Sequence, residues 1–140
     1  MADISLVKNN IRTYGEEFGC IDNPYTTSYA GAVGDTVYMH TDGTVKLAGA
    51  GLATPADRVI GIVTAVFDGS TDFASGTVVS VTEFGPVTGF TGMTPGALQY
   101  LSNTAGKIAT SAGHYARIVG RALNATTLFL SPVLSDSAST

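Results

Sequence analysis

The side chains best suited to hold a transition metal are two histidines, His40 and His114, and one cysteine, Cys20. A zinc site needs three or four converging ligands, so the two histidines would need a third from a distant part of the chain, such as Cys20, Asp42 or Asp35. His40 falls beside an expected hairpin turn and His114 in a glycine-containing loop, and both read as solvated loop histidines. Asp68-Gly69-Ser70-Thr71-Asp72 spaces oxygens as a calcium loop does but lacks the closing glutamate, so it reads as a polar turn. Gly49-Ala50-Gly51-Leu52-Ala53-Thr54 comes nearest to a dinucleotide fingerprint, yet it has no third glycine and no helix is expected after it. There is no Gly-x-Ser-x-Gly elbow and no Walker run. Glu16-Glu17 and Glu83 are carboxylates that nothing in the sequence brings together for acid–base work. No catalytic, cofactor-binding or metal-binding residue is expected, and the chain reads as no enzyme.

Composition points the same way. Of 140 residues only 13% are charged, 7 basic against 11 acidic, for a net charge of −4, where a soluble domain carries roughly 25%. With 44% hydrophobic residues and a mean hydropathy of +0.25 the chain is too apolar to be disordered, and its low charge implies surfaces covered by partners. An acidic pI of 4.8 and scattered basic residues argue against nucleic acid and against an anionic membrane surface. No apolar run reaches 18 residues, and the start Met1-Ala2-Asp3-Ile4 lacks the basic opening of a signal peptide, so the expected setting is the cytosol or release by lysis. A lone cysteine excludes an intramolecular disulfide.

The elements expected are strands. Seventeen glycines punctuate short runs rich in Val and Thr, and no stretch keeps a helical apolar period for three turns. Val37 to Thr41 and Thr44 to Leu47 flank Asp42-Gly43, a hairpin signal whose two-residue loop would pair Thr41 with Thr44, His40 with Val45 and Tyr38 with Leu47. Further strands are expected at 59–67, 77–84, 98–102, 107–110, 115–123 and 127–132. Thr94-Pro95-Gly96 fits a type II turn, and Asn124-Ala125-Thr126 a turn between strands. Short strands at this spacing make an all-β sandwich or small barrel.

The chain also resembles itself. Gly34-Asp35-Thr36-Val37-Tyr38-Met39, a turn with Gly43, then Arg58-Val59-Ile60-Gly61-Ile62-Val63 recurs as Gly96-Ala97-Leu98-Gln99-Tyr100-Leu101, a turn with Gly106, then Arg117-Ile118-Val119-Gly120-Arg121-Ala122. The reading is an internal pseudo-duplication of a hairpin plus a strand, the alternative being chance likeness of β-hairpins. Gly61 and Gly120, inside apolar strands, mark a bulge, a corner or a close backbone approach. Three segments follow: an N-terminal arm over 1–31, a β domain over 32–134 and a polar tail over 135–140. In the first, Ile4, Leu6, Val7, Ile11 and Tyr14 stand in a polar background. It is either an extended arm or, from Asn10 to Tyr14, the first strand of the domain.

Residues 85–108, including Gly92-Met93-Thr94-Pro95-Gly96-Ala97-Leu98, followed by Ile118 to Leu123 and Thr126 to Leu130, resemble small virion proteins of tailed bacteriophages. These are capsid decoration (cement) proteins and head-fibre or tail-fibre β modules. The resemblance spans about 34–132 and implies a structural protein on the outer surface of the capsid. There a homotrimer would bind the major capsid protein and brace the shell, without nucleic acid or membrane. The expected capsid contact is Ile4, Leu6, Val7, Ile11 and Tyr14, Ile4 and Leu6 alternating as a strand added to a capsid sheet would. The alternative the resemblance leaves open is a fibre module binding a host receptor or carbohydrate through Tyr25, Tyr29 and Phe90.

Overall fold

A computed structural model describes residues 3–51 and 56–132. Fourteen strands make up nearly all of its regular structure. They are β1 (Ser5–Leu6), β2 (Arg12–Thr13), β3 (Ile21–Thr26), β4 (Gly31–Ala32), β5 (Thr36–Met39), β6 (Val45–Leu47), β7 (Gly61–Val66), β8 (Asp72–Phe73), β9 (Val78–Thr88), β10 (Phe90–Thr91), β11 (Leu98–Leu101), β12 (Ile108–Ala109), β13 (Ile118–Ala122) and β14 (Thr127–Leu130). Two 3-10 turns, Lys8–Asn10 and Glu16–Phe18, interrupt the N-terminal segment. The main sheet runs β12-β11-β13-β14-β9-β7-β5-β6 and curls into a half-barrel. Its core holds Val37, Val45, Ile62, Val63, Val81, Val87, Leu101, Leu128 and Leu130, all fully buried.

The duplication is present in the hydrogen-bonded register. In the first repeat β5 pairs with β6 and β7, and β7 with the start of β9; in the second β11 pairs with β12 and β13, and β13 with β14. Val37↔Gly61 and Thr36↔Ile62 have counterparts in Gln99↔Gly120 and Leu98↔Arg121, and Ile62↔Thr82 in Arg121↔Phe129. Each repeat is therefore a four-stranded unit, one strand more than the sequence suggests. The two glycines share one reason. A side chain on Gly61 would overlap the carbonyl oxygen of Thr82, and one on Gly120 that of Phe129, so both mark a close approach of backbones.

The hairpin register differs from expectation by one residue. Met39 faces Val45, Tyr38 faces Lys46 and Val37 faces Leu47, which leaves Thr41, Asp42 and Gly43 as a three-residue loop. A two-residue type I′ loop would need positive φ at both Asp42 and Gly43, and only Gly43 has it, at 86°. Asp42 instead uses its carboxylate to accept the Thr44 N–H at 3.0 Å and hydroxyl at 2.6 Å. Strand β9 is also longer than expected. It continues through Gly85 and Pro86, whose carbonyl accepts the Tyr14 N–H at 3.3 Å.

The N-terminal segment, expected as an arm over 1–31, pairs along the β domain in its described residues. Its Asp3 bridges Ala109, the Ile4 N–H bonds the Ile108 carbonyl at 2.9 Å, β1 pairs with β10, and β2 and β3 line the free edge of β9. Burying Ile4 and Ile11, which join the core, gains roughly 1.5–3 kcal/mol each and adds to the strand pairing that holds the segment to the domain. Of the two readings of Asn10 to Tyr14, the strand is the nearer, as β2. The polar tail expected at 135–140 lies outside the described residues.

Candidate functional site

The five residues expected to contact a capsid are divided by the fold. Ile4 and Ile11 are buried in the core and are withdrawn from any partner. Leu6 is half-buried beneath Gly34. Val7 and Tyr14 are exposed. The aromatic residues of the fibre reading are engaged as well. Phe90 is buried, Tyr25 donates its hydroxyl to Glu83 at 2.9 Å, and Tyr29 donates to Asp35 at 3.0 Å while its ring packs edge-on against Phe73. Burial and the Glu83 carboxylate push the Tyr25 hydroxyl up to about 12.

An open apolar surface surrounds Tyr14. Its ring meets Phe18 edge-on at 5.6 Å, and Phe84 meets Phe129 edge-on at 5.1 Å, with Ile21 directly across from Phe84. Tyr14, Phe18, Ile21 and Phe84 are all exposed. Isolated exposed hydrophobic residues are ordinary, whereas two edge-on aromatic pairs make a patch of the kind a partner can cover. The sequence carried a weak signal of it: Tyr14, Phe18 and Ile21 lie within eight positions of one another, at no regular spacing.

The polar clusters lead elsewhere. Among the described residues no group of three His, Cys, Asp or Glu side chains could hold a metal ion. His40 Nδ1 lies 3.1 Å from Asp42, and Cys20 is buried with its Sγ donating to the Pro86 carbonyl at 3.4 Å. Asp68 accepts the Ser70 N–H and hydroxyl, and Asp72 pairs with Lys8 at 2.9 Å. Asn124 caps its own turn by accepting from the N–H groups of Thr126 and Thr127.

A hollow of about 440 Å³ between β1, β4 and β8 brings Lys8, Lys107 and Asp35 together. Burial raises the Asp35 carboxyl above the usual carboxylate range, against the Ala32 N–H, the Tyr29 hydroxyl and the two lysines, which pull it down. A carboxyl raised by folding contributes stability that is full below its unfolded value and is lost as pH rises through its folded value. Asp35→Asn keeps an oxygen for Tyr29 and Ala32. It is expected to raise the urea midpoint at pH 7 while leaving the midpoint at pH 3 nearly unchanged. Asp42 has the opposite sign. The Thr44 hydroxyl and N–H, then His40, hold it at about 2, so its contribution is present above the unfolded value and is lost as pH falls through about 2.

No known protein family matches the chain, and no curated protein matches it.

Proposed function

We propose that the protein is a structural virion component, a capsid decoration protein that binds the assembled lattice of a major capsid protein as a homotrimer and stabilises the head without catalysis. The observation that carries this reading is a compact β body poor in charge that leaves several large apolar residues exposed, Val7 among them. That body suits a mechanical part with several covered faces. Cementing is mass action: a protein that binds only the assembled lattice raises the free energy of taking it apart, and three linked sites convert weak contacts into avidity.

Of the expected contact residues, Val7 is exposed and lies beside a hollow of about 370 Å³ formed with Asn10, Arg12, Thr88 and Thr91, and it is the residue placed against the shell. The test is to mix the purified protein with shells of the accompanying major capsid protein and measure occupancy. Saturable decoration is expected, with Val7→Asp lowering affinity roughly tenfold or more, as a buried apolar contact replaced by a charge requires. A folded protein that binds host cells but no shells overturns the proposal.

A further inference from the structure

One row of directly opposed residues crosses the outer face of the second repeat: Leu98 on β11, Arg121 on β13, Phe129 on β14 and Pro86 on β9. Tyr14 ends the row through its bond to the Pro86 carbonyl, and beyond it the turn Glu16–Phe18 projects, with Phe18 61% exposed. In the first repeat the equivalent row is Thr36, Ile62 and Thr82, and every one of these is at 0% exposure. The chain therefore covers this face itself in one repeat and in the other leaves Leu98 and Arg121 open and Phe129 partly so, with Pro86 buried between them and Tyr14. The open version carries the larger apolar groups, with Leu98 43% and Tyr14 45% exposed.

The charges at the two ends of the open face are opposite. Arg121 is exposed and has no ion pair among the described residues, and neither has Glu16 or Glu17 on the projecting turn. Arg12 on β2 lies at the turn end and offsets one of the two glutamates, so that end stays net negative. Strands in a sheet are about 4.8 Å apart, so Arg121 and the β2 end of the row are three steps, roughly 14 Å, from each other. They do not pair within the chain among the described residues.

We propose that this face is an interface between copies of the chain, in which the projecting turn of one copy, Phe18 with Glu16 and Glu17, docks on Leu98, Arg121 and Phe129 of the next. The two halves of the contact are different surfaces, so it is heterologous and repeats head to tail until a ring closes. A ring of three is the one the homotrimer requires, and the inference rests on that part of the proposed function alone. A foreign partner would need only one end of the row, whereas a second copy uses both: the sheet end offers a cation beside apolar groups and the turn end offers anions beside an exposed aromatic ring. The interface would be centred on aromatic residues with its ionic contacts toward the rim.

Sedimentation velocity of the full chain without shells tests this. The wild-type protein is expected to sediment as a trimer at micromolar concentration. Arg121→Glu and Phe18→Asp should each weaken association about tenfold or more, with circular dichroism unchanged because both side chains are exposed. The triple variant Glu16→Arg/Glu17→Arg/Arg121→Glu reverses both ends and should regain the trimer, a gain that misfolding cannot imitate. A monomeric wild-type protein, single variants that assemble like the wild type, or a triple variant as weak as Arg121→Glu would overturn the interface. Shell occupancy is read separately: a trimer through this face that ignores shells leaves the interface standing and removes the decoration role.

Discussion

Arg117→Met is expected to lower the free energy of unfolding by about 3–5 kcal/mol, the range for removing one partner of a buried ion pair. The Arg117 guanidinium donates to Asp57 Oδ2 from Nε at 3.1 Å and from Nη2 at 2.7 Å. The Asp57 side chain is 0% exposed and that of Arg117 11%, so water cannot take over when the arginine is gone. The pair ties the approach to β7 in one repeat to the approach to β13 in the other, across 60 positions of sequence. Adding Asp57→Asn to Arg117→Met removes the buried charge, and the double variant is expected to be more stable than Arg117→Met alone. Urea denaturation measures both. A loss below about 1 kcal/mol for Arg117→Met would place this pair with the surface ion pairs, whose contribution is small.

The second large effect is expected from a single methyl group. Gly120→Ala and Gly61→Ala should each destabilise by about 1–3 kcal/mol or more, the range for forcing volume into a packed interior. The added carbon meets backbone oxygen of the neighbouring strand, Phe129 or Thr82, and a carbonyl held in a ladder cannot swing aside as a side-chain tip can. For a chain of this length that is a fall in Tm of roughly 3–10 °C. Gly51→Ala is the control, since its added carbon would find Asn103 at an ordinary 3.5 Å. It is expected to change Tm by little. Equal losses at positions 61 and 120 would report the shared constraint. A neutral Gly120→Ala would show that β13 and β14 can separate without harm.

The decoration reading and the copy interface stand on different surfaces, and this makes them separable. Val7 lies near Thr88 and Thr91, whereas the proposed copy contact runs from Leu98 to Phe18 across the second repeat. Val7→Asp is expected to leave the trimer intact, whereas a variant that loses the trimer also loses the avidity of three linked sites on the shell. If Val7→Asp lost the trimer as well as the shell, the two contacts would be one.

What the sequence determined by itself was local. Strand class followed from the Val- and Thr-rich runs, the turns from Asp42-Gly43 and Thr94-Pro95-Gly96, and the duplication from a repeated pattern whose two copies have the same strand register. Gly61 and Gly120 were visible as anomalies inside apolar strands. Even locally there was a limit, for the hairpin loop took three residues because Asp42 does not adopt positive φ. Tertiary structure decided what depends on which distant surfaces meet. Ile4 and Ile11 have no period that distinguishes a core residue from an anchor, and only their packing against the domain makes them core. Asp57 and Arg117, distant in sequence, carry no pattern that names them as a pair. Ile62 and Arg121 occupy equivalent positions in the two repeats, yet one is sealed and the other open. Burial is set by the element laid over a strand, and a strand's own alternation says only that it has two faces.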